Sequence, residues 1–177
     1  AEKPDILIEF RQTYFGPAVR KYGNMVRVGD CPDDPIYNRV HGIDLRFLLG
    51  EVPVHSDMLV WNLQDTPESV AYQMISVLPT VPQISVLFDK IPESHREVLK
   101  FWLSFWREHR DTLLTGALRA DHPESLYSQV RMTGEGECIE IAYTDPVILL
   151  PTSENLYICN ATGAERICLI GIGEPQS

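Results

Sequence analysis

Carboxylate, guanidinium and imidazole side chains follow or interrupt three short apolar runs in the first third of the chain. They are Glu9 and Arg11 after the first run, Asp30 and Asp33 after the second, and His55 and Asp57 within the third. Side chains of these types transfer protons and hold polar substrates through hydrogen bonds. If the apolar runs are strands of a βα barrel, the polar residues meet at the end where such barrels carry their active sites.

The segment Asp30-Cys31-Pro32-Asp33-Asp34 is the densest group of these carboxylates. Asp34 directly precedes Pro35, so we expect Asp34 to cap a helix, and Asp33 then lies where the helix N-terminus favours negative charge. Asp30 differs because it ends the preceding apolar run, and we expect it to face the mouth of a barrel. Asp30 is therefore the member of this segment with the clearest functional interpretation.

The sequence His55-Ser56-Asp57 contains the residue types of a serine hydrolase triad. Adjacent residues on a strand point to opposite faces, so His55 and Ser56 cannot form the hydrogen bond that a triad requires. His55 and Asp57 share one face of the strand. Each can contact a ligand or form an ion pair, and the sequence leaves both alternatives open.

Strand and helix patterns alternate through the part of the chain that carries these residues. Strands are predicted at 6–10, 25–29 and 52–61, and helices from Pro35 to the stop at Gly50, from about Thr66 to Leu78 and from about Pro92 to Leu114. This alternation is typical of the βα units of a parallel sheet or barrel. The apolar stripe of the third helix includes Trp102 and Trp106, which we interpret as core residues rather than as sugar-stacking residues.

The pattern changes after Gly116 to short strands separated by turn residues. Strands are predicted at 127–132, 138–143, 147–150, 156–159 and 166–172. Short strands with turns between them are typical of a small antiparallel β domain. The sequence thus predicts a βα part at residues 1–117 and a small antiparallel, β-sandwich-like domain at residues 118–177.

Charge and composition exclude several classes of protein. The formal net charge is -10 and the basic residues are scattered, so neither nucleic acid nor an anionic membrane is an expected partner. A neutral substrate such as a sugar is compatible with this charge. Four separated cysteines without a C-x-x-C pair argue against a zinc or redox motif, and we interpret them as structural. No metal or cofactor is expected.

Segments at 54–61 (V-H-S-D-M-L-V-W), 81–85 (V-P-Q-I-S) and 99–110 (L-K-F-W-L-S-F-W-R-E-H-R) together carry a family resemblance. They resemble the end of the catalytic barrel in melibiase-type α-galactosidases, which are retaining glycoside hydrolases. In that family the last barrel strand leads into a helix, a V-P-Q-I-S-type segment and a long helix ending in F-W-x-x-H-R. The resemblance implies that residues 1–117 are the C-terminal strands and helices of a (β/α)8 TIM barrel.

The resemblance also implies two catalytic aspartates. One is a nucleophile in a W-x-x-D-type strand, which we expect upstream of Ala1, and the other is an acid/base in an S-D-x-T-D-like segment. Gly29-Asp30-Cys31-Pro32-Asp33 resembles that second segment, which assigns the acid/base to Asp30 and keeps Asp33 in reserve. Retention requires two carboxyl groups about 5–5.5 Å apart, so we expect the chain alone to be inactive.

One segment departs from the family pattern. Typical members have a Cys-Ser-Gly-Gly-Gly-Arg-type loop that contacts the sugar, whereas this chain has Glu9-Phe10-Arg11-Gln12, in which only Arg11 matches. Without the glycines the backbone cannot approach a hydroxyl as closely, and Glu9 adds a carboxylate. We expect Arg11, Glu9, His55 and Asp57 to bind substrate, and the sugar specificity stays open.

Two functions remain open from the sequence. The first is an α-galactosidase-type hydrolase that removes terminal α-linked galactose from oligosaccharides or glycoconjugates. The second is a carbohydrate-binding or scaffold module without catalysis. In either case we expect a homo-oligomer, because part of a barrel leaves strand edges and apolar side chains uncovered. The expected compartment is a bacterial cytoplasm or periplasm.

Overall fold

A computed structural model describes residues 3, 5–11, 16, 18, 21–30, 34–152 and 155–171. The chain is a mixed α/β protein with several sheets and, in its described part, four α-helices. It divides into two compact units, Ala1–Glu108 and His109–Ser177. None of the described helices combines the length and apolar character needed to cross a membrane. The expected domain boundary between residues 117 and 118 stays a prediction.

The first unit contains a parallel sheet of four strands. They are β1 (Glu9–Phe10), β2 (Met25–Arg27), β3 (Val54–Leu59) and β4 (Val81–Ile84), and they lie in the order β1-β2-β3-β4. Every neighbouring pair is parallel, which confirms the predicted βα units. Right-handed connections between successive parallel strands place their helices on one face of the sheet.

Helix α1 (Pro35–Leu49) connects β2 to β3 and begins where the sequence predicts. The Asp34 carboxylate accepts a hydrogen bond from the backbone N–H of Tyr37 at 2.8 Å, and Gly50 ends the helix with a φ of 63°. Phe47 and Leu48, near the end of α1, are exposed although both are large and apolar. The helix buries several polar residues against the sheet, namely Asn38, Arg39 and Arg46.

Helices α2 (Pro67–Ser76) and α3 (Glu93–Glu108) complete the first unit. A core of Leu59, Trp61, Val70, Met74, Val77, Ile91 and Leu99 joins them to β3. Trp102 packs against this core but is only partly buried. The predicted single helix through Leu114 is wrong, because the helix breaks at His109 and a short α4 (Arg110–Thr115) follows in the second unit.

The first strand is shorter than the sequence predicts. Ile6, Leu7 and Ile8 are 52%, 71% and 38% exposed and lie outside β1. The Asn24 side chain accepts from the Ile8 N–H at 2.8 Å and donates to the Ile6 carbonyl at 3.0 Å. An amide side chain therefore satisfies backbone groups that a longer strand would have paired with its neighbour.

The second unit is built on a sheet of four strands in the order β5-β6-β7-β9. Its strands are β5 (Ala117–Asp121), β6 (Gln129–Thr133), β7 (Glu137–Ala142) and β9 (Asn155–Asn160), while β8 (Val147–Leu150) and β10 (Cys168–Gly171) pair separately. Four of these strands match predicted runs closely, whereas β5 was not predicted and β10 is shorter than predicted. Met132, Ile139 and Ile141 are fully buried and supply the core.

The predicted purely antiparallel arrangement is wrong. β5, β6 and β7 pair antiparallel, but β7 pairs parallel with β9, and β8 pairs parallel with β10. Parallel neighbours require a crossover connection rather than a tight hairpin. The connection from β7 to β9 includes β8, which pairs with β10 outside the main sheet. The turn residues before β8 therefore mark an exit from the sheet, not a hairpin.

Candidate functional site

The first unit carries a polar face on its sheet, opposite the helices. Val28 and Val54 pack against Tyr37 and Leu45 from α1, so that face of the sheet meets the helix layer. The registers pair Glu9 with Met25 and Arg27 with His55. Alternate residues of a strand share a face, so the side chains of Glu9, Arg27 and His55 lie together on the other side.

Three of these strands contribute to one hydrogen-bonded cluster of Glu9, His55 and Gln83. The His55 Nδ1 lies 2.6 Å from the Glu9 Oε1. The Gln83 Nε2 lies 3.1 Å from the same ring nitrogen and 3.4 Å from the same carboxylate oxygen. The His55 and Glu9 side chains are 18% and 30% exposed, so solvent reaches the cluster.

The contacts of the cluster determine where its protons lie. A carboxylate only accepts hydrogen bonds, so the short contact to Glu9 places a proton on the His55 Nδ1. The Gln83 amide then donates to the Glu9 carboxylate, because a protonated ring nitrogen cannot accept. This leaves the His55 Nε2 as the position that accepts from a ligand when the ring is neutral.

Arg27 and Asp57 form a buried ion pair on the same sheet. The Arg27 Nη1 lies 3.5 Å from the Asp57 Oδ1, and the two side chains are 8% and 0% exposed. Of the two alternatives for Asp57, ligand contact or pairing, the geometry favours pairing, because the side chain is wholly covered. His55 remains accessible, so the two candidates on β3 have different surroundings.

Asn38 of α1 holds the backbone where Asp57 lies. The register between β3 and β4 shifts between His55 and Met58, so one residue of β3 is left out of the regular ladder. The Asn38 side chain accepts from the Asp57 N–H at 2.9 Å and donates to the Asp57 carbonyl at 3.2 Å. A buried amide thus satisfies both backbone groups at the bulge, which fixes the direction of the Asp57 side chain.

Asp30 follows β2 and is paired with Arg11, which follows β1. The Arg11 Nη2 lies 3.4 Å from the Asp30 Oδ2, and the side chains are 56% and 71% exposed. The structure therefore brings together two residues that the sequence assigned to the same site. Asp33, the reserve acid/base candidate, lies outside the described residues.

Sequence reasoning missed Gln83 and Arg27. Gln83 lies in a strand that contains Pro82, and proline argues against a sheet position except at an edge, where β4 lies in the described sheet. Arg27 lies inside its apolar run rather than after it. A search for every polar residue within the runs, and not only at their ends, would have found Arg27.

Two histidines outside the cluster, one in each unit, are buried. His95 is 1% exposed and its Nε2 lies 2.8 Å from the Asp65 carbonyl. His109 of the second unit is 6% exposed, and its Nδ1 lies 2.7 Å from the Glu137 carboxylate. Within the described ranges, no group of three or more histidine, cysteine, aspartate or glutamate side chains is arranged to hold a metal ion.

Comparison of the chain with protein-family models, with curated proteins and with solved structures finds no match.

Proposed function

We propose that this chain is part of a retaining α-galactosidase-type glycoside hydrolase that removes terminal α-linked galactose. The observation that carries the proposal is the convergence of Glu9, His55 and Gln83 from three parallel strands on the sheet face opposite the helices. A (β/α)8 barrel likewise carries its helices on the outer face of a parallel sheet. His55 is the second residue of β3, so the cluster lies nearer the amino end of that strand than its carboxyl end. The segments at 54–61, 81–85 and 99–110 resemble the end of such a barrel.

In this proposal Arg11, Glu9 and His55 bind the sugar. Arg11 offers a fixed fork of N–H donors, Glu9 offers a carboxylate acceptor, and the His55 Nε2 accepts from a hydroxyl. Asp57 acts indirectly, because its side chain is fully buried in the ion pair with Arg27, the register partner of His55. A galactose ring presents hydroxyls that both donate and accept, and this set of groups complements them.

Asp30 is the proposed general acid/base. A general acid that works near neutral pH is kept protonated by burial or by a neighbouring negative charge. The Asp30 side chain is 71% exposed beside Arg11, so the described residues do not supply that environment. We propose that the remaining strands of the barrel cover Asp30 and bring the nucleophilic carboxylate within about 5–5.5 Å of it.

The exposure of Asp30 favours a second candidate, a carbohydrate-binding module without catalysis. The two candidates differ in turnover. The test is hydrolysis of an aryl α-galactoside by the chain alone and by a longer protein that includes the upstream W-x-x-D-type strand. The hydrolase proposal predicts no turnover by the chain and retention of α-configuration by the longer protein, observed by proton NMR. Galactose binding without turnover in both would support the binding module.

We further propose that the chain self-associates through the exposed residues beside β1. Ile6, Leu7 and Ile8 place adjacent apolar side chains in solvent. A soluble monomer rarely leaves a contiguous apolar patch exposed, and a two-fold dimer is the simplest arrangement that covers one. Sedimentation velocity at micromolar concentration tests this proposal, and Leu7→Ser should return a dimer to the monomer. A monomeric parent chain would contradict it.

A further inference from the structure

A cavity of about 400 Å³ lies at the carboxyl end of β3, between the first residue of α1 and the first turns of α2. Its wall includes Trp61, Asn62 and Asp65 from the loop after β3, and Ser69, Tyr72 and Gln73 from α2. The volume lies in the range of about 300–1,000 Å³ that small-molecule sites occupy. The cavity shares no wall residue with the Glu9, His55 and Gln83 cluster, so it is a separate feature of the first unit.

The wall offers both donors and acceptors of hydrogen bonds. The Tyr72 oxygen accepts from the Arg39 Nη1 at 3.2 Å, so its own O–H points elsewhere as a donor. The Asp65 Oδ2 accepts from the Asn62 N–H at 3.0 Å, which holds this carboxylate in the loop and leaves its second oxygen as an acceptor. Asn62 and Ser69 are exposed and contribute groups that can do either.

Two buried polar atoms in the same wall lack partners among the described residues. They are the indole N–H of Trp61 and the side-chain carbonyl of Gln73, and both residues are 7% exposed. The other half of the Gln73 amide is used, because its Nε2 donates to the Val60 carbonyl at 2.9 Å. An unpartnered buried donor and acceptor are each destabilising, and folded proteins keep few of them without a reason.

We propose that this cavity binds a small, uncharged, polyhydroxylated molecule, such as a monosaccharide or a cyclic polyol. A hydroxyl donates and accepts at once, so one such ligand matches the donor Tyr72 and the acceptors Asp65 and Gln73 together. The proposal does not depend on the glycosidase assignment, because it concerns different residues and requires no reaction.

The charges of the wall disfavour small anions and small cations. An anion would meet the Asp65 carboxylate, and no lysine or arginine is among the described residues that line the cavity. Arg39 is 2% exposed and supports Tyr72 from behind, so it does not offer its charge to the cavity. A cation would contact a single carboxylate, which already accepts a backbone hydrogen bond. That contact is too weak to offset the cost of removing the cation from water.

The test is a titration of the 177-residue chain with myo-inositol, D-glucose and D-galactose, followed by ¹⁵N–¹H NMR. We expect saturable shifts of the Trp61 indole N–H and the Gln73 side-chain amide, with a dissociation constant on the order of millimolar. Inorganic phosphate and ethylammonium at the same concentrations should leave both signals in place. Saturation by either ion, or shifts confined to His55 with each of the three polyols, would overturn the proposal.

Variants of the wall separate this site from the proposed active site. Tyr72→Phe removes one donor and should weaken binding about 3- to 10-fold. If Tyr72→Phe perturbs folding through its contact with Arg39, Ser69→Ala provides the same test at an exposed residue. We expect Ser69→Ala to lose less affinity for the polyols than Tyr72→Phe. Trp102→Phe, which lies outside the cavity, is the control and should bind as the parent does. Equal affinity of both wall variants and the control would overturn the proposal, whatever the outcome of the hydrolysis assays.

Discussion

Replacing Asp57 with asparagine should destabilise the first unit strongly. Asp57 and Arg27 form an ion pair at 3.5 Å whose side chains are 0% and 8% exposed. Asparagine keeps the shape of the side chain and removes its charge, so the Arg27 guanidinium stays buried without a counter-charge. Breaking a buried pair from one side costs about 3–5 kcal/mol, far more than the loss of an exposed pair.

The matched control is Glu93→Gln, which removes the charge from an exposed ion pair of the same unit. Glu93 lies 3.2 Å from Arg96, with side chains 73% and 45% exposed, so its loss should cost less than about 1 kcal/mol. The three tryptophans, at positions 61, 102 and 106, all lie in the first unit, so urea unfolding followed by tryptophan fluorescence reports on it. A cost for Asp57→Asn within about 1 kcal/mol of the control would refute the role assigned to this pair.

Three further perturbations test packing and burial elsewhere. Burial raises the pKa of Cys159 to about 12, whereas Cys168 is exposed, so a thiol reagent at pH 8 should modify Cys168 at once and Cys159 only at the rate of unfolding. Burial also raises the pKa of the Glu140 carboxyl. Its contribution to the stability of the folded state is therefore present at low pH and is lost as the pH rises through the raised pKa. Amide exchange in β6 and β7 should show the stability of the parent falling relative to Glu140→Gln over that window. Gly42→Ala places a methyl 2.8 Å from the Thr80 Cγ2 and should cost about 1–3 kcal/mol in urea unfolding, and Thr80→Ser should relieve part of that cost.

Local signals predicted the βα elements because the physical causes of those elements are local. The cap at Asp34, the proline at the first helical position and the glycine with positive φ at position 50 each act within a few residues. The broken helix at His109 was missed for a different reason. Its apolar spacing continues across the break, while His109 itself is held by Glu137, a residue far along the chain.

The parts of the site that escaped prediction depend on contacts between distant residues. Asparagine has a low helix propensity, so nothing local favours Asn38 on α1. Its role depends on the bulge at Asp57, where its buried amide bonds the backbone. Gln83 joins Glu9 across the sheet, although the two lie far apart in sequence. Patterns of apolar spacing cannot show such pairings, because register is set by the whole sheet. The residue types at the ends of the strands were predictable, but their partners were not.

The most direct test of the central claim is the leaving-group dependence of Asp30→Ala in a longer protein that carries the W-x-x-D-type strand proposed to lie upstream. If Asp30 is the general acid/base, loss of proton donation should lower kcat/KM about 10²–10⁴-fold for a galactosyl disaccharide and much less for a p-nitrophenyl α-galactoside, whose leaving group needs no proton. Asp89→Ala, which changes an exposed aspartate outside the site, should match the parent on both substrates. Equal losses on the two substrates in Asp30→Ala would contradict the assignment.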